Sequence, residues 1–581
     1  MQKESGKVFK DEDDATIKPE KPQLAKKKWR KSLRKEQALN EHLTWEERLA
    51  YSVTPQWKLS YNEQLQLKQK NQERILLQLS DQLLDGQHKA LTSASSPKST
   101  KLSFPLLPIL PSPVTEGYRN KSTFSVNRGV DGNPKTVGFY VGTGKAGNIV
   151  CVNGDHLLNM PERHKLVARC YQDFLRRSPL EPCLLFHDGG HWREVTVRTN
   201  TAGHTMAIVY FHPQRLTPEE VKFHKSSLVE YFTQGPGAVC QLDSLYFQES
   251  SMTRCSHEES PYELLHGQPH IYEEMLGFKF RISADAFFQV NHGAGELLYH
   301  TVREMGLPNG GREGSTLLDV CCGTGAIGII MSPRLRQVIG IEVIQQAVED
   351  ARHNAALNQI HHCEFLLGKA EVVLPGLMEV LTSTGSPVGP LTAVVNPARA
   401  GLHYRVVRAL RNHPSIHRLV YISCKPEGEA MRNFRELCCS PDPQRKLTGD
   451  AFRPTLAVPV DMFPHTPHCE LLLVFESPGI FGKTVYKLAR HHNLEQASRI
   501  VACTIIEKEM SAFNRVKKGY HVLFIFMRRH LHRLLVLIHC NNCFFPAQQR
   551  DRISSLGHIT EYENDRDGGK KCQPQQPATR R

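Results

Sequence analysis

Two groups of residues in this chain have types and spacings that could do chemistry. In the first, the run Leu317-Leu318-Asp319-Val320 leads into Gly323-Thr324-Gly325-Ala326-Ile327-Gly328. Glycines at this spacing permit a tight turn at a helix start and let backbone N–H groups approach a ligand. Dinucleotide enzymes share the pattern, as do helix starts that merely need glycine. Asp319 lies on the run before the loop, and Glu342 closes the next apolar run about 20 residues on, where a carboxylate can accept ribose hydroxyls. An adenosine cofactor is expected; these residues leave open which one. The second group begins at Ser423-Cys424-Lys425-Pro426. A lone cysteine is commonly a small core residue, but one that ends a sheet strand sits where open α/β sheets hold ligands. The lysine after it would favour the thiolate. Downstream, Asp461-Met462-Phe463-Pro464-His465-Thr466-Pro467-His468-Cys469-Glu470 puts carboxylates and two histidines on a proline-broken loop that enters a last apolar run.

The elements that must position these groups are legible as short apolar runs. Leu317-Leu318-Asp319-Val320, Gln337-Val338-Ile339-Gly340-Ile341, Thr392-Ala393-Val394-Val395, Arg418-Leu419-Val420-Tyr421-Ile422 and Glu470-Leu471-Leu472-Leu473-Val474-Phe475 read as strands separated by helix-length stretches. That alternation predicts an α/β domain, a mostly parallel sheet with helices on both faces, over 276–476. Before it, 118–275 reads as a smaller α+β domain of short strands and turns, with a turn at Asp131-Gly132-Asn133-Pro134 and a half-buried strand over 191–198. Residues 45–117 combine an amphipathic helical stretch carrying Trp45, Leu49, Trp57 and Ile75-Leu76-Leu77 with a Ser- and Pro-rich linker. Residues 1–44 are charged and poor in large apolar side chains, the composition of a disordered basic arm, and 477–581 form an extension without an evident role.

Composition narrows the function classes. The chain has 581 residues, 40% of them apolar, enough for several cores. Lys and Arg outnumber Asp and Glu by 73 to 59, and the formal charge of +14 favours a polyanionic partner. No run of about 18 apolar residues is present, so no membrane-spanning helix is expected. Sixteen scattered cysteines read as reduced thiols of an intracellular protein. Cys540 and Cys543, with His530, His532 and His539 nearby, have metal-like spacing without a second matching pair, so no metal is expected. Asp11-Glu12-Asp13-Asp14 departs from a mitochondrial presequence, which is basic and poor in acids.

Over about residues 118–476 the chain resembles the RNA uracil-5-methyltransferase family. Phe287-Phe288-Gln289-Val290-Asn291, the 319–325 segment, Asn396-Pro397-Ala398-Arg399-Ala400-Gly401, Ser423-Cys424-Lys425-Pro426 and the 463–470 segment occur in that family's order and spacing. Tyr118-Arg119-Asn120-Lys121 and Val137-Gly138-Phe139-Tyr140 look like its central-domain signature. The resemblance implies a Rossmann-like class I methyltransferase domain, S-adenosylmethionine as cofactor, and RNA as partner, a tRNA loop first and ribosomal RNA second. It implies that Gln289, Asp319, Gly323, Gly325 and Glu342 bind the cofactor, that Asn396 and Arg399 line the pocket, and that Cys424 is the nucleophile and Glu470 the general base. The chain is most similar to the vertebrate mitochondrial branch, which implies a mitochondrial location, with the cytoplasm as the alternative.

The chemistry explains the pairing of a thiol with a carboxylate. Carbon 5 of uracil is a poor nucleophile until a thiolate adds to carbon 6 and turns the ring into an enolate. After methyl transfer a base must remove the carbon 5 proton, a task for a carboxylate whose pKa is raised by burial. The base must also leave its stack, which costs least in a loop. Three departures from the family pattern stand out. Asn396 replaces the usual Asp, although an amide still offers a carbonyl to the ring N–H. Lys425 stands where Asn is commoner. The four-cysteine iron–sulfur motif of the bacterial ribosomal enzyme, and its amino-terminal RNA-binding barrel, are missing. Other readings are a catalytically weak RNA-binding chaperone or scaffold, favoured by Asn396, and a nicotinamide-dependent oxidoreductase, from the glycine spacing alone. A 5-methylcytidine enzyme is nearer in chemistry, but it would carry a second cysteine in the 396–401 segment.

Overall fold

Thr44 opens the first helix, α1 (Trp45–Val53), with a reciprocal capping box: its hydroxyl takes the Glu47 N–H and the Glu47 carboxylate takes the Thr44 N–H. The 28-residue helix α2 (Tyr61–His88) follows. In the computed structural model, residues 42–88, 102–142, 149–184, 189–251, 260–308, 314–383 and 391–477 are described. The chain divides into two compact units, Met1–Ala502 and Cys503–Arg581, and every described residue belongs to the first. The expected basic arm, nearly all of it, the Ser-rich stretch at 93–97, and the extension beyond 477 with Cys540 and Cys543 lie outside the described residues.

The first sheet contains β1 (Lys121–Asn127), β2 (Thr136–Val141), β3 (Val150–Val152), β4 (Trp192–Thr199), β5 (Thr205–Phe211), β6 (Ser244–Glu249) and β7 (Tyr262–Gly267). Its order is β3-β2-β1-β4-β5-β6-β7, antiparallel except for the parallel pair β5–β6. Helices α3 (Glu162–Arg177) and α4 (Pro218–Thr233) contribute to a core built on Trp192, Tyr171, Phe174 and Phe211. Strand β5 shows how the two-residue period divides the work. Ala207, Val209 and Phe211 face this core, while Met206, Ile208 and Tyr210 join the core of the following sheet. The two layers therefore share apolar packing. A hairpin of β8 (Ile271–Met275) and β9 (Phe278–Ile282) follows, and the domain boundary expected at 275/276 falls at its turn.

The second sheet is the Rossmann-like one. After α5 (His292–Gly306) come β10 (Thr316–Val320), α6 (Ala326–Met331), β11 (Gln337–Glu342), α7 (Gln345–Leu357), β12 (Cys363–Leu367), α8 (Ala370–Ser383), β13 (Leu391–Val395), α9 (Tyr404–Asn412), β14 (Ile416–Ser423), α10 (Glu429–Cys438), β15 (Arg453–Val460) and β16 (Glu470–Glu476). The order is β12-β11-β10-β13-β14-β16-β15. The first five strands are parallel, and β16 is antiparallel to both neighbours. All five expected strands are present, and the alternation along β10 puts Leu317 in one face's core and Leu318 and Val320 in the other's. Helices α5, α6 and α7 pack on the first face; α2, α8, α9 and α10 pack on the second. The proline-rich linker lies along the outer edge of β15, where Leu107 N donates to Ala457 O and Leu110 N to Pro459 O, both at 2.9 Å. Proline suits such an edge because a missing N–H there breaks no internal ladder.

Among the described residues no helix is long and apolar enough to cross a membrane. Among them, too, all cysteines are free thiols, and no cluster of three or more His, Cys, Asp or Glu side chains could hold a metal ion.

Candidate active site

The parallel strands β10, β11, β13 and β14 end on one edge of the sheet, and the antiparallel β16 begins there. Every expected site residue carried by these strands is thereby brought to a single edge.

At one end of that edge the chain turns sharply after Val320. Cys321 takes a left-handed backbone conformation (φ +63°), and the N–H groups of Cys321 and Cys322 both donate to Ile341 O at 2.9 and 3.1 Å. Gly323 follows at φ +55°, and a side chain there would meet nothing within 4 Å. This open space above a helix start is the cradle expected of a nucleotide site. Gly325 caps α6 at φ +78°, where a Cβ would come within 2.9 Å of the Phe365 ring and 3.0 Å of Ala351. Only glycine satisfies both demands at 325.

Two carboxylates fix the loop. Glu342 Oε2 accepts the Gly323 N–H at 3.0 Å, while its Oε1 takes Val343 N and Ile344 N at 2.8 and 3.1 Å. Val343 and Ile344 themselves are exposed, so an apolar surface flanks the acid. An open glycine turn, a carboxylate at the next strand end and an apolar flank fit an adenosine moiety. Asp319 is wholly buried beneath the loop; its Oδ2 accepts Gly328 N–H at 3.0 Å, and burial pushes its carboxyl up to about 7. It thus shapes the loop from below. Gln289 is buried just before α5 and its side chain hydrogen-bonds the Tyr299 hydroxyl. The charges of both Asp319 and Glu470 act on that phenol, so Tyr299 is linked electrostatically to the glycine loop's buried acid and to the carboxylate at the start of β16. The Gln289 carbonyl is anchored by Asn120 Nδ2 at 2.8 Å, from the Tyr118-Arg119-Asn120-Lys121 signature.

The other end is set by strand register. The antiparallel ladder between β14 and β16 ends at the pair Ser423–Leu471, so Cys424, one residue past β14, and Glu470, the first residue of β16, lie at the same end of the sheet, and the Glu470 charge acts on the Cys424 thiol. Cys424 is half-buried and Glu470 is 7% exposed. Burial raises the Glu470 carboxyl to about 7, against the opposing pull of the Arg399 guanidinium. Burial also raises the Cys424 thiol; the negative charge of Glu470 adds to this, and a hydrogen bond from Arg399 works against it. The three groups are therefore one electrostatic unit. Sequence reasoning assigned the favouring cation to Lys425, but Lys425 is exposed, and the cation acting on the thiol is Arg399.

Arg399 reaches the thiol from the loop after β13. Asn396 starts that loop, half-buried, with its N–H donating to Val320 O at 3.2 Å, which ties it to the end of β10. The loop closes on Asn433, a wholly buried residue of α10. Asn433 Oδ1 accepts Leu402 N at 2.7 Å and the Tyr421 hydroxyl at 2.9 Å, and its Nδ2 donates to Leu402 O at 2.9 Å. Asn433 and Tyr299 were not anticipated. The available signal for Asn433 was a polar residue on the apolar stripe of Ala430, Phe434 and Leu437; Tyr299 reads as core.

Comparison with known proteins gives three kinds of likeness. Residues 312–383 match the methyltransferase domain family. The tRNA (uracil-5-)-methyltransferase homolog B of Danio rerio is 68% identical over 434 residues, 75% of this chain and 88% of that one. The Homo sapiens homolog B is 57% identical over 434 residues (74% and 84%), and the Homo sapiens homolog A is 41% identical over 433 (74% and 67%). In fold, the chain is similar to the crystal structure of Pyrococcus abyssi tRNA (uracil-54, C5)-methyltransferase in complex with S-adenosyl-L-homocysteine. The TM-score is 0.50 at 22% identity, over 72% of this chain and 84% of that one.

Proposed function

This chain belongs to the tRNA (uracil-5-)-methyltransferase family, and from that premise we propose that it methylates carbon 5 of a uridine in tRNA through a covalent adduct on Cys424. Its cofactor is S-adenosylmethionine. The observation that supports the reading is the meeting of Cys424, Glu470 and Arg399 at one end of the β14–β16 ladder, where Glu470 and Arg399 both act on the thiol and Arg399 acts on both groups.

Gly323, Gly325 and Glu342 hold the cofactor, with Asp319 beneath the loop and Gln289 on the side of the catalytic groups. When bound, the cofactor supplies an electrophilic methyl group on a sulfonium. Cys424, whose thiol burial and the Glu470 charge raise while the hydrogen bond from Arg399 works against them, adds as the thiolate to carbon 6 of the uracil ring, and the displaced electron pair moves to O4 as an enolate. The enolate makes carbon 5 the nucleophile that accepts the methyl. Glu470, ionised, then takes the proton from carbon 5; that electron pair reforms the 5,6 double bond and expels the Cys424 thiolate. The Cys424 proton is lost to solvent before the attack, so Glu470 is still ionised when the carbon 5 proton must be taken. Asn396, at the pocket's edge, offers its amide carbonyl to the ring N–H. The proposal extends to mitochondrial residence, supported by the chain's similarity to the mitochondrial branch of the family; imaging of a fluorescent fusion would overturn it by showing cytoplasmic signal alone.

The test is the adduct. With tRNA containing 5-fluorouridine, whose carbon 5 bears no proton to remove after methyl transfer, the wild-type protein should form an adduct that survives denaturing electrophoresis. Cys424→Ala should form none. Unmodified tRNA and small-subunit ribosomal RNA transcripts, given with labelled cofactor, should yield 5-methyluridine in the tRNA. Absence of both product and adduct would leave the RNA-binding scaffold in its place.

A further inference from the structure

The loop between β15 and β16, which delivers Glu470, is closed by a buried charge from the far end of the chain. Lys68 on α2 puts its Nζ 2.6 Å from Asp461 Oδ1, with neither side chain exposed at all. The same ammonium donates to Phe463 O at 3.0 Å, and Asp461 Oδ1 takes Phe463 N at 3.1 Å. Asp461 Oδ2 receives the Tyr61 hydroxyl at 2.9 Å. Tyr61, Gln64 and Lys68 recur at helical spacing on one face of α2. Gln64 Oε1 accepts the His465 N–H at 2.7 Å, and Gln56 N donates to His465 O at 2.9 Å. His465 adopts φ +67°, a left-handed conformation rare outside glycine. The contacts to its own N–H and C=O hold it there. Thr466 then ties back to Phe463 O and accepts His468 N, two residues before Glu470.

A buried ion pair contributes little net stability, because desolvation offsets attraction; apolar residues would fill the space as well. What this pair adds is direction. We propose that Lys68, with Tyr61 and Gln64, is a positioning residue for Glu470: the amino-terminal helix fixes the 461–469 turn so that the carboxylate faces Cys424. This rests on the reading of Glu470 as the base.

That reading supplies a discriminating readout. Glu470 acts after methyl transfer, so a misplaced Glu470 slows only proton removal and C–S cleavage. The enzyme should then accumulate as an adduct with ordinary uridine-containing tRNA, methylated at carbon 5 and joined through sulfur to carbon 6. In the full-length protein, Lys68→Met should lower kcat by about 10²-fold, the size of a displacement near 1 Å. KM for tRNA and cofactor should stay within about threefold, and the adduct should build up on denaturing gels. Glu470→Gln is the control; if it accumulates no adduct, the base assignment falls and not the positioning role. If Glu470→Gln traps the adduct and folded Lys68→Met does not, or turns over normally, the inference is overturned. Should Lys68→Met fail to fold by thermal unfolding, Tyr61→Phe, which removes one hydroxyl, takes its place: an adduct with a lowered kcat supports the proposal, and wild-type kinetics overturn it.

Discussion

The two ends of the site edge are built differently. The end proposed to hold the cofactor is fixed by neighbours in sequence: Asp319 ties to Gly328, and Glu342 ties to Gly323, Val343 and Ile344. The end proposed for catalysis is assembled from distant segments: Arg399 from one loop, Cys424 from a strand end, Glu470 from the next strand over, and Lys68 paired with Asp461 in the turn before it. A local scaffold can be described by a short motif. A long-range one depends on packing that any of several elements can disturb, so substitutions at the two ends should separate cofactor binding from chemistry.

The largest separation should come from Cys424→Ala, which should lower turnover by at least roughly 10⁴-fold, as loss of a nucleophile does. Cofactor affinity, read by calorimetry, should remain at the wild-type value; a parallel loss of binding would mean that the two ends are one unit. Gly325→Val should do the reverse. Its side chain meets Phe365 and Ala351 and strains φ +78°, so thermal unfolding should show about 3 kcal/mol of destabilisation and cofactor binding should vanish. Asn433→Leu removes the two hydrogen bonds to Leu402 that close the Arg399 loop and a third to the Tyr421 hydroxyl on β14. It should cost about 2 kcal/mol of stability and reduce kcat more than it weakens cofactor binding. Glu342→Gln, with a neutral acceptor in place of the carboxylate, should weaken the cofactor by about tenfold and leave kcat at saturation nearly unchanged.

The smallest effect is in pH dependence. Glu470 must be ionised to act, so kcat should rise as pH passes through about 7, and Glu470→Gln should lack that limb. Stability should move the other way. The folded carboxyls of Asp319 and Glu470 both sit near 7, above the value of about 4 for unfolded carboxyls. The unfolded chain therefore releases protons first, and stability should fall as pH rises from about 4 to about 7. Asp319→Asn should flatten part of that slope in chemical denaturation series.

Much of this was legible in residues close together in the chain. Short apolar runs disclosed the five strands that carry the site, because a strand covered by helices on both faces is buried at nearly every residue. The glycine loop with Asp319 and Glu342 was legible because its contacts span at most about one strand–helix unit. Cys424 and Glu470 were marked by their motifs, but not their meeting at one end of the sheet, nor that Arg399 rather than Lys425 is the cation acting on the thiol. Those followed from the antiparallel entry of β16 beside β14, a pairing that local periodicity does not encode. Tyr299 and Lys68 were invisible for the same reason, each an ordinary helix residue until tertiary packing buries it, and Asn433 showed only as a polar residue on an apolar stripe, with no sign of what it would bind. Sequence determined which groups are present and which strand ends carry them. Tertiary structure decided which face one another and which are dehydrated, because burial and register are properties of the whole packed sheet.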